Sequence, residues 1–275
     1  MKTRVTMSAV PAPDSALSAD SAPAAPDPWT HLRRFTAARI ALGRTGGSQR
    51  TETVLDFRLA HARARDAVHA VFNPGALAGQ LAAAGLPSLT LATGVLDRTT
   101  YLLRPDLGRR LDPDSREKLA SLAALADYIP PDLVIIISDG LAAQAAELHA
   151  TSTVLPLVGA LRAAAWRLAP IIVVPLARVK LQDEIGAALG ARFSLMLLGE
   201  RPGLGTPDSL GAYFTAAPRP DRTDADRNCV SNIRPEGLPP AQAAAKLAWL
   251  LLESARTGRS GVALKDDQPN PALTA

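Results

Sequence analysis

The chain has 275 residues, of which 47% are hydrophobic and 20% are charged, so it is long and apolar enough to bury a large core. Aromatic residues make up only 4% of it, and Cys229 is its one cysteine. These counts exclude stacking platforms for single-stranded nucleic acid, an internal disulfide framework and a site built from several cysteines. The 30 basic and 26 acidic residues are interleaved rather than clustered, so the net charge of +4 does not predict a nucleic-acid partner.

The N-terminal segment, residues 1–27, is rich in Ala, Pro, Ser and Asp and has few large apolar side chains. That composition predicts a disordered tail. The segment has no sustained apolar stretch, so it does not predict a secretory signal. No apolar run in the chain reaches the roughly 18–20 residues that cross a bilayer. We therefore expect a soluble protein with no membrane partner.

Residues 28–95 predict a smaller, all-helical N-terminal domain. Asp27 is suited to cap a helix, and Pro28 is suited to its first turn. Apolar side chains then recur at helical spacing over Val54–Val68. Nothing in this pattern indicates catalysis.

Residues 96–275 predict a Rossmann-like α/β domain with a doubly wound parallel sheet. Three continuous apolar runs predict buried strands: 132–138, 171–174 and 193–199. Ala- and Leu-rich stretches between and after them predict helices: 141–149, 156–168 with Pro156 in its first turn, 181–189 and 240–255. Continuous apolar strands that alternate with helices are typical of a parallel sheet covered on both faces. Ligands of such sheets bind beyond the carboxyl ends of the strands.

Three loops follow the predicted strands and are candidate ligand contacts. The first is Ser138-Asp139-Gly140, where Asp139 is either a metal ligand or base, or a turn cap, and capping is the favoured interpretation. The second follows Val174. The third, Gly199–Gly205, has three glycines in seven residues, but its spacing matches neither a Walker loop nor a dinucleotide fingerprint. A ligand loop and an ordinary turn both remain open for it.

No catalytic set and no metal site are predicted. The four histidines are dispersed without metal-ligand spacing, and His149 is expected at the end of a helix, where its charge suits the dipole. No Gly-x-Ser-x-Gly elbow is present. Cys229 is as readily a small apolar filler as a reactive thiol. Such a domain without a catalytic set suggests a chain that holds part of a cofactor while another chain supplies the chemistry.

Five blocks of the sequence, in order, resemble the small subunit family of ethanolamine ammonia-lyase. They are Ala38–Arg44 with Gly46-Gly47-Ser48, Leu59–His69, Ile137–Leu141, Gly199–Gly205 and Ala225–Ile233. The resemblance runs from about Trp29 to about Val262, essentially the whole chain apart from the tail.

The resemblance implies a helical domain followed by a Rossmann-like domain. It implies a large-subunit partner whose TIM barrel holds the substrate site, with adenosylcobalamin between the two subunits. The complex then converts ethanolamine to acetaldehyde and ammonia by a radical mechanism. Six large and six small subunits are expected, in the bacterial cytoplasm and within an ethanolamine-utilisation microcompartment.

The resemblance also implies cofactor contacts at Val179, Glu200 and Cys229. Glu200 would accept hydrogen bonds from the amide rim of the corrin, Val179 would contribute its main chain, and Cys229 would offer a small, soft surface. Ser138 and Asp139 are weaker candidates from geometry alone. No histidine lies in an Asp-x-His-x-x-Gly motif, which agrees with a family that keeps the lower base of cobalamin bound to cobalt. The alternative is a stand-alone α/β enzyme that binds a nucleotide or small molecule through Gly199–Gly205.

Overall fold

The computed structural model describes residues 27–36 and 38–268. The predicted tail, 1–27, lies outside the described residues apart from Asp27. The chain divides into two compact units, Met1–Phe57 and Arg58–Ala275. The predicted division of roles between residues 28–95 and 96–275 stays a prediction.

Among the described residues of the first unit that precede helix α1, the regular elements are short. A single 3-10 helix spans Thr30–Phe35, and the Asp27 carboxylate accepts the backbone N–H of Trp29 at 2.9 Å. The predicted helix start is therefore real, but the element is one short 3-10 helix. A two-residue hairpin follows, with β1 at Arg44–Thr45 and β2 at Ser48–Gln49.

The second unit carries the remaining helices and strands. The helices are α1 (Thr51–His69, which starts in the first unit), α2 (Pro74–Ala83), α3 (Arg98–Leu103), α4 (Pro113–Ala123), α5 (Ala143–Ala163), α6 (Leu181–Ala188) and α7 (Pro240–Thr257). The strands are β3 (Ser88–Thr90), β4 (Leu133–Ser138), β5 (Ile171–Val173), β6 (Phe193–Gly199), β7 (Leu210–Ala216) and β8 (Arg227–Ile233). Short 3-10 helices lie at Leu107–Arg109, Asp224–Asp226 and Gly261–Ala263.

Strands β3 to β8 form one mixed sheet in the order β3-β5-β4-β6-β7-β8. Strands β3, β5, β4 and β6 run parallel to one another. Strand β7 runs antiparallel to β6, and β8 runs antiparallel to β7. Every residue of β4, β5 and β6 is buried, as continuous apolar strands between two helical layers require. The mixed α/β class and the mostly parallel sheet are thus confirmed, and the three predicted strands are present.

The sheet also contains strands that the sequence analysis did not predict. Strand β3 lies inside the segment 28–95, so the prediction that this segment is all helical is wrong there. Its three residues are too few to establish a period. Strands β7 and β8 make the sheet mixed rather than wholly parallel. Both strands contain residues that are not buried, unlike β4, β5 and β6, as is typical of an antiparallel pair that is covered less completely on one face.

The predicted helix break at Pro156 is wrong. Helix α5 is continuous, with Pro156 in its interior, where proline removes one backbone hydrogen bond. Val154, Leu157 and Val158 beside it are buried, so core packing offsets that cost. His149 accordingly lies in the middle of α5 and not at a helix end.

The core is divided between the two faces of the sheet. On the first face, α2, α5 and α7 pack over alternate strand residues such as Ile135, Leu197 and Phe214. On the second face, α4 and α6 pack over Ile136 and its neighbours. The second face of the antiparallel pair is more open, since Tyr213 is only partly buried and Cys229 is exposed.

The outer edge of β8 is occupied at both ends. Near its start, the Asn228 side chain bonds Gly261 in both directions, accepting from its N–H at 2.6 Å and donating to its carbonyl at 3.1 Å. Near its end, the Leu238 N–H donates to the Asn232 carbonyl at 2.8 Å. The opposite edge is the three-residue β3.

Candidate functional site

The carboxyl ends of the parallel strands are tied together by Asp139, directly after β4. Its carboxylate accepts the Leu176 N–H at 2.6 Å and a guanidinium hydrogen of Arg98 at 3.0 Å. Burial raises the pKa of Asp139, while the Leu176 hydrogen bond and the charge of Arg98 oppose that shift. The favoured interpretation of Asp139, turn capping, agrees with these contacts, although the turn that its carboxylate caps follows β5 and not β4.

Ser138 has the same role as Asp139. Its hydroxyl accepts the Ala177 N–H at 3.1 Å and donates to Asp139 at 3.1 Å. Both residues are buried and lie beneath the loop that they hold. Their position is therefore that of a support for the loop containing Val179, and not of a ligand-facing surface.

Close packing explains the first glycine of the Gly199–Gly205 loop. A Cβ on Gly199 would lie 2.0 Å from the Ala142 carbonyl oxygen, and one on Gly140 would lie 2.2 Å from the Gly199 carbonyl oxygen. The two loops after β4 and β6 therefore cross at a distance that only glycines allow. Gly203 forms a local turn with Thr206, and a Cβ on Gly205 would meet open space. These contacts indicate loop packing rather than a phosphate cradle.

A cavity of about 1110 Å³ opens beside these loops, on the more open half of the second face. The loop after β5 contributes Arg178, Val179 and Lys180, and the exposed face of β7 and β8 contributes Tyr213 and Cys229. The remaining lining comes from Pro105, Asp106, Arg109, Arg110, Arg116, Glu184, Pro220, Arg222, Thr223, Asp224 and Arg227. Two of the three predicted contacts, Val179 and Cys229, thus line one cavity.

Glu200, the third predicted contact, lies next to this cavity over Gly211. A Cβ on Gly211 would come 2.8 Å from Glu200 Oε1 and 3.1 Å from a ring carbon of Tyr213. The absent side chain at Gly211 therefore makes the space in which these two side chains lie. Glu200 Oε2 accepts the Ser209 hydroxyl and, at 3.2 Å, the Asn232 N–H, which leaves Oε1 available for a ligand.

Tyr213 is a site residue that the sequence analysis missed. It is the register partner of Cys229 across β7 and β8. Burial, the neighbouring Cys229 and the charge of Glu200 all raise the pKa of Tyr213. The alternation of Leu210, Ala212 and Phe214 towards the core places Tyr213 on the opposite face, and that period-two pattern was the available signal.

Cys229 is not an activated thiol. Although Cys229 is exposed as a residue, partial desolvation of its thiol raises the pKa of Cys229, the Tyr213 hydroxyl lowers that pKa and the charge of Glu200 raises it, with a net upward shift. A reactive thiolate requires the opposite shift. Cys229 lines the cavity, and its role as a small, soft contact for a cofactor stays a prediction.

The histidines do not form a metal or catalytic centre in the described ranges. His149 is buried in α5 with Nε2 at 3.5 Å from an Asp208 carboxylate oxygen, and His31, His61 and His69 are on the surface. Within residues 27–36 and 38–268, no group of three or more His, Cys, Asp or Glu side chains has a geometry that would hold a metal. The site is suited to binding a broad ligand with scattered polar groups.

Comparison with known proteins gives consistent matches over nearly the whole chain. The ethanolamine ammonia-lyase light chain (EutC) family matches residues 26–265. The ethanolamine ammonia-lyase small subunit of Azotobacter vinelandii is 52% identical over 248 residues, which cover 90% of this chain and 92% of that protein. The small subunit of Rhodopseudomonas palustris is 51% identical over 254 residues, covering 91% and 96%. That of Ralstonia nicotianae is 50% identical over 249 residues, covering 90% and 92%.

A separate observation concerns membranes. Among the helices in the described part of the chain, none combines the length and the apolar character needed to span a bilayer.

Proposed function

Since the chain belongs to the ethanolamine ammonia-lyase light chain family, we propose that it is the small subunit of that enzyme and forms one wall of its adenosylcobalamin site. The main support for this proposal is sequence identity. About half of the aligned residues are identical to those of proteins named as this subunit, and the alignments cover about nine tenths of both chains. The word subunit in those names supports a large-subunit partner. The complex converts ethanolamine to acetaldehyde and ammonia.

The residues around the cavity fit a corrinoid. A corrin ring is broad and apolar, and its rim carries amide side chains. Tyr213 and Cys229 line the cavity, and Gly211 next to them leaves room for the side chains of Glu200 and Tyr213; these two cavity-lining residues are called the corrin shelf. Glu200 Oε1 is an acceptor for an amide N–H at its edge, and Val179 lies on the adjoining loop.

This chain binds and orients, and it moves no proton in the reaction. Adenosylcobalamin supplies the radical chemistry when bound. Tyr213 and Cys229 both have raised pKa values, so they present neutral groups near neutral pH. The Ser138–Asp139 support fixes the backbone at Leu176 and Ala177, and this contact holds the Val179 loop in place. No residue on this chain is assigned to substrate binding or hydrogen abstraction.

The wider assignment follows the family. The mostly parallel sheet with its ligand cavity beyond the strand ends supports a Rossmann-like cobalamin-binding domain. A TIM-barrel large subunit, an assembly of six large and six small subunits, and a bacterial location within a microcompartment belong to the same proposal. The stand-alone enzyme with a Gly199–Gly205 ligand loop is not favoured, because close packing accounts for Gly199 and a local turn with Thr206 accounts for the backbone at Gly203.

The test is reconstitution from separately purified subunits. This chain and the large subunit encoded with it are assayed alone and together for acetaldehyde formation from ethanolamine and adenosylcobalamin. We expect activity only from the mixture. Activity from this chain alone, or full activity from the large subunit alone, contradicts the proposal. A mixture without added cofactor is the matched control.

A further inference from the structure

Three arginines at one end of the cavity have no acidic partner. Arg109, Arg110 and Arg178 have no carboxylate within 4 Å among the described residues. The other basic side chains of the cavity are all paired: Arg116 with Glu184, Lys180 and Arg227 with Asp183, and Arg222 with Asp226. The acidic Asp106 is likewise bound by Arg104 outside the cavity. One end of the cavity thus keeps an uncompensated positive charge.

Arg178 is held in place although it has no acidic partner. Its guanidinium lies 3.9 Å from the centre of the Tyr101 ring, and Nη2 donates to the Tyr101 carbonyl at 2.7 Å. Its Nε is shielded from solvent and has no hydrogen-bond acceptor. A buried donor without an acceptor costs free energy, so the contacts that Arg178 makes with Tyr101 must offset that cost.

The Arg109–Arg110 pair is brought to Arg178 by a close backbone contact. The Arg178 N–H donates to the Gly108 carbonyl at 2.8 Å. A Cβ on Gly108 would lie 2.8 Å from the Leu176 carbonyl oxygen and 3.0 Å from Cγ of Arg178. Only glycine at this position allows the 3-10 turn Leu107–Arg109 to pack against the loop after β5. This backbone contact therefore brings the three arginines close together.

We propose that Arg109, Arg110 and Arg178 form a phosphate subsite that binds the phosphodiester in the nucleotide tail of the cofactor. This inference rests on the proposed function. Planar guanidinium groups match phosphate oxygens with paired, charge-assisted hydrogen bonds. The phosphodiester is the charged group of the cobalamin nucleotide tail, and Val179, a predicted cofactor contact, follows Arg178 directly in the chain and lines the same cavity. The subsite would fix which end of the cavity receives the tail.

The experiment compares three corrinoids on the assembled complex by equilibrium titration with absorbance detection. Cobalamin carries the whole nucleotide tail, cobinamide phosphate carries a phosphate without the base, and cobinamide carries neither. We expect the wild-type complex to bind cobinamide phosphate about tenfold or more tightly than cobinamide, as a charged hydrogen bond of roughly 1.5–3 kcal/mol allows. In Arg178→Gln that difference should fall to less than about twofold, with cobinamide affinity unchanged.

Two further variants keep the result interpretable. Arg109→Gln combined with Arg110→Gln changes only exposed side chains, so it should fold normally and should also reduce the phosphate-dependent difference. Arg116→Gln removes one positive charge from the same cavity, but from a pair with Glu184, so it should leave the difference within about twofold.

The outcomes separate the subsite from the proposed function. Equal wild-type affinity for cobinamide and cobinamide phosphate, or an equal loss of both affinities in Arg178→Gln and in the double variant, overturns the subsite and leaves the function standing. A complex that binds none of the three corrinoids overturns both.

Discussion

The two halves of the sheet are built for different purposes. In the parallel half, β4, β5 and β6 are buried on both faces, and the polar groups at their ends bind each other. In the antiparallel half, β7 and β8 are buried on one face and present Tyr213 and Cys229 on the other. The buried strands and the strands that line the cavity are therefore neighbours in one sheet.

The largest expected effect is on stability, in the parallel half. Ile136 is fully buried in β4, between Met196 and Ile172 in the register. We expect Ile136→Ala to lower the free energy of unfolding by about 2–5 kcal/mol, because it leaves a cavity in a tightly packed core. Urea unfolding followed by circular dichroism measures this loss, and Ile136→Val should cost about 0.5–1.5 kcal/mol. A loss below about 1 kcal/mol for the alanine variant would contradict the tight packing assigned to the parallel half.

The next effect is on cofactor binding, at Glu200. We expect Glu200→Ala to raise the adenosylcobalamin concentration needed for half-maximal activity about tenfold, as the loss of a charged hydrogen-bond acceptor predicts. The KM for ethanolamine should stay within about twofold. Glu236→Ala removes another carboxylate, one that is exposed and paired with Arg234, and should change neither quantity. A selective rise in the ethanolamine KM would count against the assigned role.

A smaller effect is expected at Gly211, where space rather than charge is tested. An added methyl group would meet Glu200 Oε1 at 2.8 Å, and the flexible carboxylate would have to shift. We expect Gly211→Ala to weaken cofactor binding several-fold, with a change in the free energy of unfolding below about 1 kcal/mol. Titration of the assembled complex measures the affinity. Gly205→Ala, where a Cβ meets open space, is the matched control, and equal affinities in both variants would contradict the role assigned to the space at Gly211.

The smallest effect concerns pH and Cys229. Because the pKa of this thiol is raised above its ordinary value of 9.0, the unfolded chain loses the thiol proton first as the pH increases. The folded state therefore loses stability above about pH 9, and the contribution is fully present below that value. Cys229→Ala should reduce the alkaline loss slightly and change nothing at pH 7. Urea midpoints at pH 7 and pH 10 test this, and a larger alkaline loss in the variant would contradict the sign.

The parallel half was predictable from the sequence, and the antiparallel half was not. Continuous apolar runs define β4, β5 and β6 because both faces of those strands are buried. In strand β7, Gly211, Tyr213 and Thr215 alternate with core residues, so the strand has no continuous apolar run. That face lines the candidate site. The hydrophobic pattern of the sequence is therefore least informative about the strands on which the candidate site lies.

The site itself was predicted unevenly. Val179, Glu200 and Cys229 came from the family resemblance, since no local pattern marks them. Asp139 was visible as a polar residue after a strand, but its partners Arg98 and Leu176 lie about 40 positions away in the chain. Contacts at such separations depend on the strand order, which the sequence analysis did not predict. Tyr213 was missed because the sequence analysis did not predict strand β7.

The closed edges of the sheet bear on how this subunit behaves before it meets its partner. Unpaired strand edges recruit other strands, and proteins counter this with short edge strands or with covering loops. Here Gly261 and Leu238 cover the two ends of β8, and β3 offers only three residues. Association through the sheet edges is thereby disfavoured, so we expect the separately purified chain to resist edge-to-edge pairing.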